Sequence, residues 1–187
     1  MTIHSQAKSS IKPSVLRDYL RHIKQVLQLG DQDFNLCFVD DRRISELNAM
    51  YRRKPQPTDV LSFAWREGED IRASDVKPHS GAAVGAFSSG FTDAEFAGFL
   101  GDIVISVPAA RRNGRAEGHS TATEIRLLIL HGVLHLLGYD HARDRGEMTA
   151  KELALRRELG IVGKRGREAR LRLKTRPKGS NGIGRQG

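Results

Sequence analysis

Apolar positions along this chain switch between helical and alternating spacing, and the switches mark its elements. Residues 14–29 place Val15, Leu16, Tyr19, Leu20, Ile23, Val26, Leu27 and Leu29 at helical spacing, with Pro13 before them and Gly30 after. Residues 35–39 read as a short strand, followed by Asp40-Asp41 as a turn or helix cap. A second helix spans 43–52, with Ile44, Leu47 and Tyr51 on one face, and the Pro55–Pro57 stretch ends it. Residues 60–65 form a second strand and the β-branched run at 101–106 a third. Helices follow at 108–117, 124–137 and 146–159; Thr121-Ala122-Thr123-Glu124 fits a capping box for the second of these. Thr2-Ile3-His4 can add a short edge strand. Helices and strands do not alternate strictly, so the pattern predicts α+β, with a small mixed sheet packed by helices.

Two segments stand apart. Residues 66–98 are rich in Gly, Ser, Ala and acidic side chains and show no period beyond a helical turn at 93–96, so they read as an insertion. Residues 164–187 carry nine Lys or Arg against one Glu, which is +8 of the chain's net +9. This segment reads as a disordered basic tail, an electrostatic handle for a polyanion and above all for nucleic acid. Lys164, Arg165, Arg167, Arg170, Arg172 and Lys174 are its candidate RNA contacts. A single domain over residues 1–163 accounts for the rest. No run approaches the roughly eighteen apolar residues of a membrane span, and residues 1–10 lack the apolar core of a signal peptide. The single cysteine, Cys37, excludes an intrachain disulfide, fits the cytoplasm, and reads as a core residue.

The strongest chemistry lies in His131-Gly132-Val133-Leu134-His135-Leu136-Leu137-Gly138-Tyr139-Asp140-His141. On a helix, His131 and His135 lie one turn apart on one face and can hold one ion together. Gly138 can end the helix in a left-handed conformation, so that His141 arrives from the loop as a third ligand. Three imidazoles with a fourth position left open suit a catalytic zinc site, although nickel, copper or iron also accept imidazole. A zinc ion there would lower the pKa of its water to about 7. The spacing matches that of metzincin peptidases, but Gly132 stands where their catalytic glutamate would be. The helix around the ligands is apolar nearly all round, so it is expected to be buried, with its histidines neutral. Asp140 is equally a turn residue or a group that orients an imidazole or moves a proton. Arg52, on its own, reads as a solvated arginine at a helix end.

Several segments in order resemble the YbeY family of bacterial metal-dependent endoribonucleases: Asn48-x-x-Tyr51-Arg52, Pro57-Thr58-Asp59-Val60-Leu61-Ser62-Phe63, Leu100-Gly101-Asp102-Ile103-Val104-Ile105-Ser106, Gly118-His119-Ser120 and the histidine segment. The resemblance covers residues 13–160 apart from the insertion. It implies a fold with distant kinship to zincins and one Zn2+ on His131, His135 and His141, the residues that would carry catalysis with Arg52. Arg52 would be a catalytic or RNA-phosphate contact. The implied activity is single-strand-specific RNA cleavage, with small-subunit rRNA and ribosomal particles as partners. The implied setting is maturation of the rRNA 3′ end, late ribosome assembly and ribosome quality control. Pro55, Ala64-Trp65 and Asn113 depart from the family pattern, and none is a ligand. A metzincin-type peptidase and a non-catalytic assembly factor with a structural metal are the competing readings.

Overall fold

The computed structural model of the chain describes residues 2–5, 11–65, 98–140 and 144–161. His141, the basic tail and the insertion up to residue 97, with its helical turn, lie outside the described residues. The described elements are β1 (Ile3–Ser5), α1 (Pro13–Val26), β2 (Asp33–Val39), α2 (Asp41–Arg52), β3 (Val60–Ala64), β4 (Phe99–Ser106), α3 (Val107–Ala116), α4 (Thr121–Leu136) and α5 (Glu147–Glu158). This is the expected order, with the optional N-terminal strand present.

The strands form one mixed sheet in the order β1-β2-β4-β3, with β1, β2 and β4 parallel and β3 antiparallel to β4. The fold is therefore α+β. Where β2 meets β4, Asp33 pairs with Phe99 but Phe34 pairs with Gly101, so Leu100 is an extra residue and the strand bulges. Gly101 takes φ +138° in this bulge, and a Cβ there would lie 2.0 Å from the Phe63 carbonyl oxygen. Only glycine fits.

Side chains alternate across the sheet, so each face has its own core. Ile103 and Ile105 of β4, with Phe34, Leu36 and Phe38 of β2, join the core beneath α1, α4 and α5. Val104, Leu61 and Val39 point the other way, to Ile44 and Leu47 of α2. Each fully buried leucine or isoleucine stabilises the fold by about 1.5–3 kcal/mol relative to its exposed state.

The caps are mostly where local chemistry puts them. Asp40 caps α2 by accepting from the Arg43 N–H at 2.8 Å. Ser106 caps α3 by accepting from the Ala109 N–H, and its hydroxyl donates to Asp41 at 2.6 Å. Arg112 also donates to Asp41, and these bonds hold the Asp41 carboxyl below its ordinary range against a smaller opposing effect of burial. The capping box expected at residues 121–124 is not formed. Ser120, one residue earlier, is the cap and accepts from the Thr123 N–H, while Glu124 turns inward to a buried contact with His119 Nε2 at 2.5 Å. A carboxylate with a buried imidazole in reach gains more from that pair than from capping the helix beside water.

Candidate metal centre

α4 is buried along most of its length, as its apolar composition predicts. It stops in a Schellman motif: the Gly138 N–H donates to the His135 carbonyl and the Tyr139 N–H to the Leu134 carbonyl, at 2.9 and 3.0 Å. Gly138 has φ +87°, the left-handed conformation assigned to it from sequence. Tyr139 packs back on the core and Asp140 follows, half-buried. The turn is thus fixed on both sides as the chain approaches His141.

His131 and His135 share the last two turns of α4. Their Nε2 atoms are 3.1 Å apart, and their rings stand at 78° with centres 4.7 Å apart. Metal–nitrogen bonds of 2.0–2.1 Å in a tetrahedron put two ligand nitrogens about 3.3 Å apart. The two imidazoles therefore present the edge that a tetrahedral ion requires, and the donor set fits zinc. Among the described residues no group of three ligating side chains forms.

Behind His131 stands a residue that the sequence reading missed. Glu152 Oε2, on α5, is 3.3 Å from His131 Nδ1. A carboxylate can only accept, so Nδ1 carries a proton and donates it to Glu152, which leaves Nε2 as the ring nitrogen that faces His135. Arg156, one turn further on α5, donates to the other oxygen of Glu152. Burial pushes the Glu152 carboxyl up, but His131 and Arg156 together outweigh it and hold the group at about 2, so it is ionised. Glu152 lies four residues after Met148 and three before Leu155, the buried residues of α5. A carboxylate on the buried stripe of a helix was the available signal.

Gly132 has a different meaning in three dimensions. It faces the sheet, where a Cβ would meet Ile103 Cγ2 at 2.9 Å and Ser62 Oγ at 3.1 Å. Glycine lets α4 settle on β3 and β4, and no side chain at 132 could reach out to the histidines as a peptidase base. Leu136 makes a similar close approach over Gly101. Beside His135 a cavity of about 320 Å³ opens, lined by Gln32, Ala64, Phe99, Leu100 and Gly138 among others.

Arg52 ends α2, which packs on the opposite face of the sheet from α4. Its neighbour Tyr51 contacts Phe63, while Ser62 and Ala64 line the α4 side near Gly132 and His135. Arg52 is exposed at the end of α2, and the helix that carries it lies on the other face of the sheet from the helix that carries the histidines. Asn48 is buried and sets this end: its amide donates to the Gln56 carbonyl at 2.8 Å, and its own carbonyl accepts from the Lys54 N–H at 3.2 Å. Asp59 accepts from the Val60 N–H and from the Asn113 amide, both at 2.9 Å. Cys37 is half-buried and burial pushes its thiol up, in keeping with a packing role.

A model of the family described as Endoribonuclease YbeY matches residues 2–160. The chain belongs to the endoribonuclease YbeY family. It is 42% identical over 158 residues to Endoribonuclease YbeY of Desulforamulus reducens, covering 79% of this chain and 91% of that protein. Against Endoribonuclease YbeY of Nautilia profundicola it is 41% identical over 133 residues, 71% of this chain and 76% of the relative. The solution structure of TM1509 from Thermotoga maritima shares the fold at a TM-score of 0.51 and 21% identity, covering 96% of this chain and 99% of the other. The YbeY resemblance carried by the five sequence segments is thereby established, and so is the α+β fold. No helix among the described residues is long and apolar enough to cross a membrane.

Proposed function

We propose that this YbeY-family chain is a metal-dependent endoribonuclease that cuts single-stranded RNA. Its substrate would be the 3′ end of small-subunit rRNA on ribosomal particles in the cytoplasm, during late ribosome assembly and quality control. The observation that carries the reading is the 3.1 Å approach of His131 Nε2 to His135 Nε2, with the Glu152 carboxylate behind His131. His131, His135 and His141 would hold the ion, taken here to be Zn2+. When bound, that ion would stabilise developing negative charge at phosphate and lower the pKa of water.

The protein's own groups do the rest. Glu152 keeps the proton of His131 on Nδ1 and fixes the ring plane. Asp140, next to His141, would orient that imidazole or carry a proton. Arg52 would neutralise phosphate charge from the other side of β3. The cavity beside His135 would take the substrate next to the reacting phosphate. Residues 1–163 would act as one catalytic domain, and the tail would add salt-sensitive affinity for RNA. Removing residues 164–187 should weaken RNA binding at low salt and flatten its salt dependence while cleavage persists; unchanged affinity across salt would sink the tail's role.

Gly132 argues against the peptidase reading, since its position faces the sheet. An assembly factor with a structural metal would keep its function without cleavage. The deciding experiment measures metal content and single-strand RNA cleavage for the wild type and His135→Ala, purified identically. We expect about one metal per chain and cleavage for the wild type, and neither for the variant. Equal cleavage by both would place the activity elsewhere.

A further inference from the structure

The cavity beside His135 has a neighbour across one turn. On α1, Arg17, Arg21 and Lys24 follow one another at i, i+4 and i+7, in a row beside the buried stripe of Leu16, Tyr19, Leu20 and Ile23. With Gln25, Gln28, Gly30 and Asp33 they line a groove of about 560 Å³. Arg17 to Lys24 covers about 10 Å along the helix at 1.5 Å per residue. A stacked strand advances about 3.4 Å per nucleotide, so the row matches roughly three phosphates.

The cations of the groove are open to an anion. Arg17 is exposed. Arg21 pairs with Asp18 at 3.1 Å, but the two side chains are 70% and 68% exposed, so water screens the pair and a phosphate can replace it. Lys24 donates to Asp33 at 3.1 Å, which ties the helix to the start of β2. Gln25 and Gln28 are exposed beside them and carry amide donors for phosphate oxygens.

A single turn separates this groove from the metal centre. Buried Leu29 anchors it: the Leu29 N–H donates to the Lys24 carbonyl at 3.0 Å, and the Leu29 carbonyl accepts from the Gln32 N–H at 2.9 Å. Gly30 and Asp33 line the groove, whereas Gln32 and Gly98 line the cavity beside His135. The Asp33 N–H donates to the Gly98 carbonyl at 2.9 Å, so the two hollows lie back to back. At Gly30 a Cβ would meet nothing within 4 Å, so the turn is open where a strand would cross it.

We infer that the α1 groove carries the backbone of the RNA strand that leaves the metal cavity, with phosphates on Arg17 and Arg21 and hydrogen bonds from Gln25 and Gln28. This rests on the reading of the chain as an RNA-cleaving enzyme, and it adds the path of the strand beyond the cut. The contacts are to phosphate, so they set the register of the strand and not its sequence. An acidic peptide would suit the cations, but only a strand that is cut at the imidazoles must also pass out of that cavity.

The test compares two double variants of the full-length protein that lose the same charge. Arg17→Gln with Arg21→Gln empties the groove. Arg111→Gln with Arg115→Gln removes two exposed arginines, also one turn apart, from α3, which follows the end of β4 away from Phe99 and the cavity. Anisotropy of a labelled single-stranded RNA is read over a range of salt, beside steady-state cleavage and metal content. The groove variant should bind about ten-fold more weakly at low salt, and its salt slope should flatten by about 1.4, the share of two phosphates on a single strand. Its KM should rise by a similar factor with kcat and metal content unchanged, because the contacts lie away from the scissile bond. The α3 variant should stay near the wild type. Equal losses in the two variants, or wild-type affinity and KM in the groove variant, would overturn the groove. A loss of poly-glutamate affinity in the groove variant as large as the loss for RNA would assign the groove to an acidic protein instead. RNA binding that depends on Arg17 and Arg21 in a protein that never cleaves RNA would keep the groove and remove the nuclease.

Discussion

Ile103 and Ile105 leave β4 on one side and Val104 on the other, and the two cores they join differ in size and in what they support. Beneath α4 lies the large core, which reaches from Ile11 to Ile161 and encloses a helix buried nearly all round. It holds two imidazole nitrogens 3.1 Å apart. Beneath α2 lies a patch of five buried residues, Val39, Ile44, Leu47, Leu61 and Val104, whose margin is exposed aromatic and basic. Holding an ion requires side chains fixed to a fraction of an ångström, which dense packing on every side provides. The smaller core anchors a single helix to the sheet and leaves the end of that helix open to water.

The comparison can be broken most severely at the bulge that both faces share. Gly101→Ala adds a Cβ 2.0 Å from the Phe63 carbonyl at a backbone angle that L side chains avoid. We expect a loss of about 3 kcal/mol or more, seen as a melting temperature lowered by roughly 10 °C or as failure to fold. A variant that melts with the wild type would show that the bulge is not needed.

The next test separates the faces. Leu47→Ala empties space beneath α2 and should cost about 2–4 kcal/mol in chemical denaturation. The folded variant should bind metal like the wild type, since Leu47 touches only the smaller core. Metal affinity that falls along with stability would mean the two faces are coupled through the sheet.

The smallest effect sharpens the α4 side alone. Glu152→Gln keeps the shape of the side chain but removes the charge behind His131. Metal affinity should drop about 10-fold, within the 10–100-fold range for outer-shell partners, while circular dichroism stays native. Direct titration with zinc against a chelator of known affinity measures it. Wild-type affinity in Glu152→Gln would reduce that carboxylate to a packing partner of Arg156.

Much of the fold was legible because it rests on local rules. Spacing marked every described helix to within a few residues, and Gly138 was identified as the end of α4 from conformational freedom alone. The cap of α4 was placed one residue late, because Ser120 and Thr121 are equally good caps by type and only the burial of Glu124 decides between them. Asn48 and Asp59 were legible as parts of a family pattern, but their work in bracing the Arg52 turn and tying β3 to α3 was not. That work consists of bonds to atoms 8 and 54 residues away.

By itself the sequence determined which residues could form helices and strands, where α4 must end, and that His131 and His135 share one helix face. Those are consequences of backbone sterics and a 3.6-residue period, and they operate within a few residues. Tertiary structure alone decided that Glu152 stands behind His131 from 21 residues away, that Gly132 meets the sheet, and that Tyr51 stands edge-on to Phe63. Such pairings depend on which faces the packed elements turn to one another, and no local propensity carries that information.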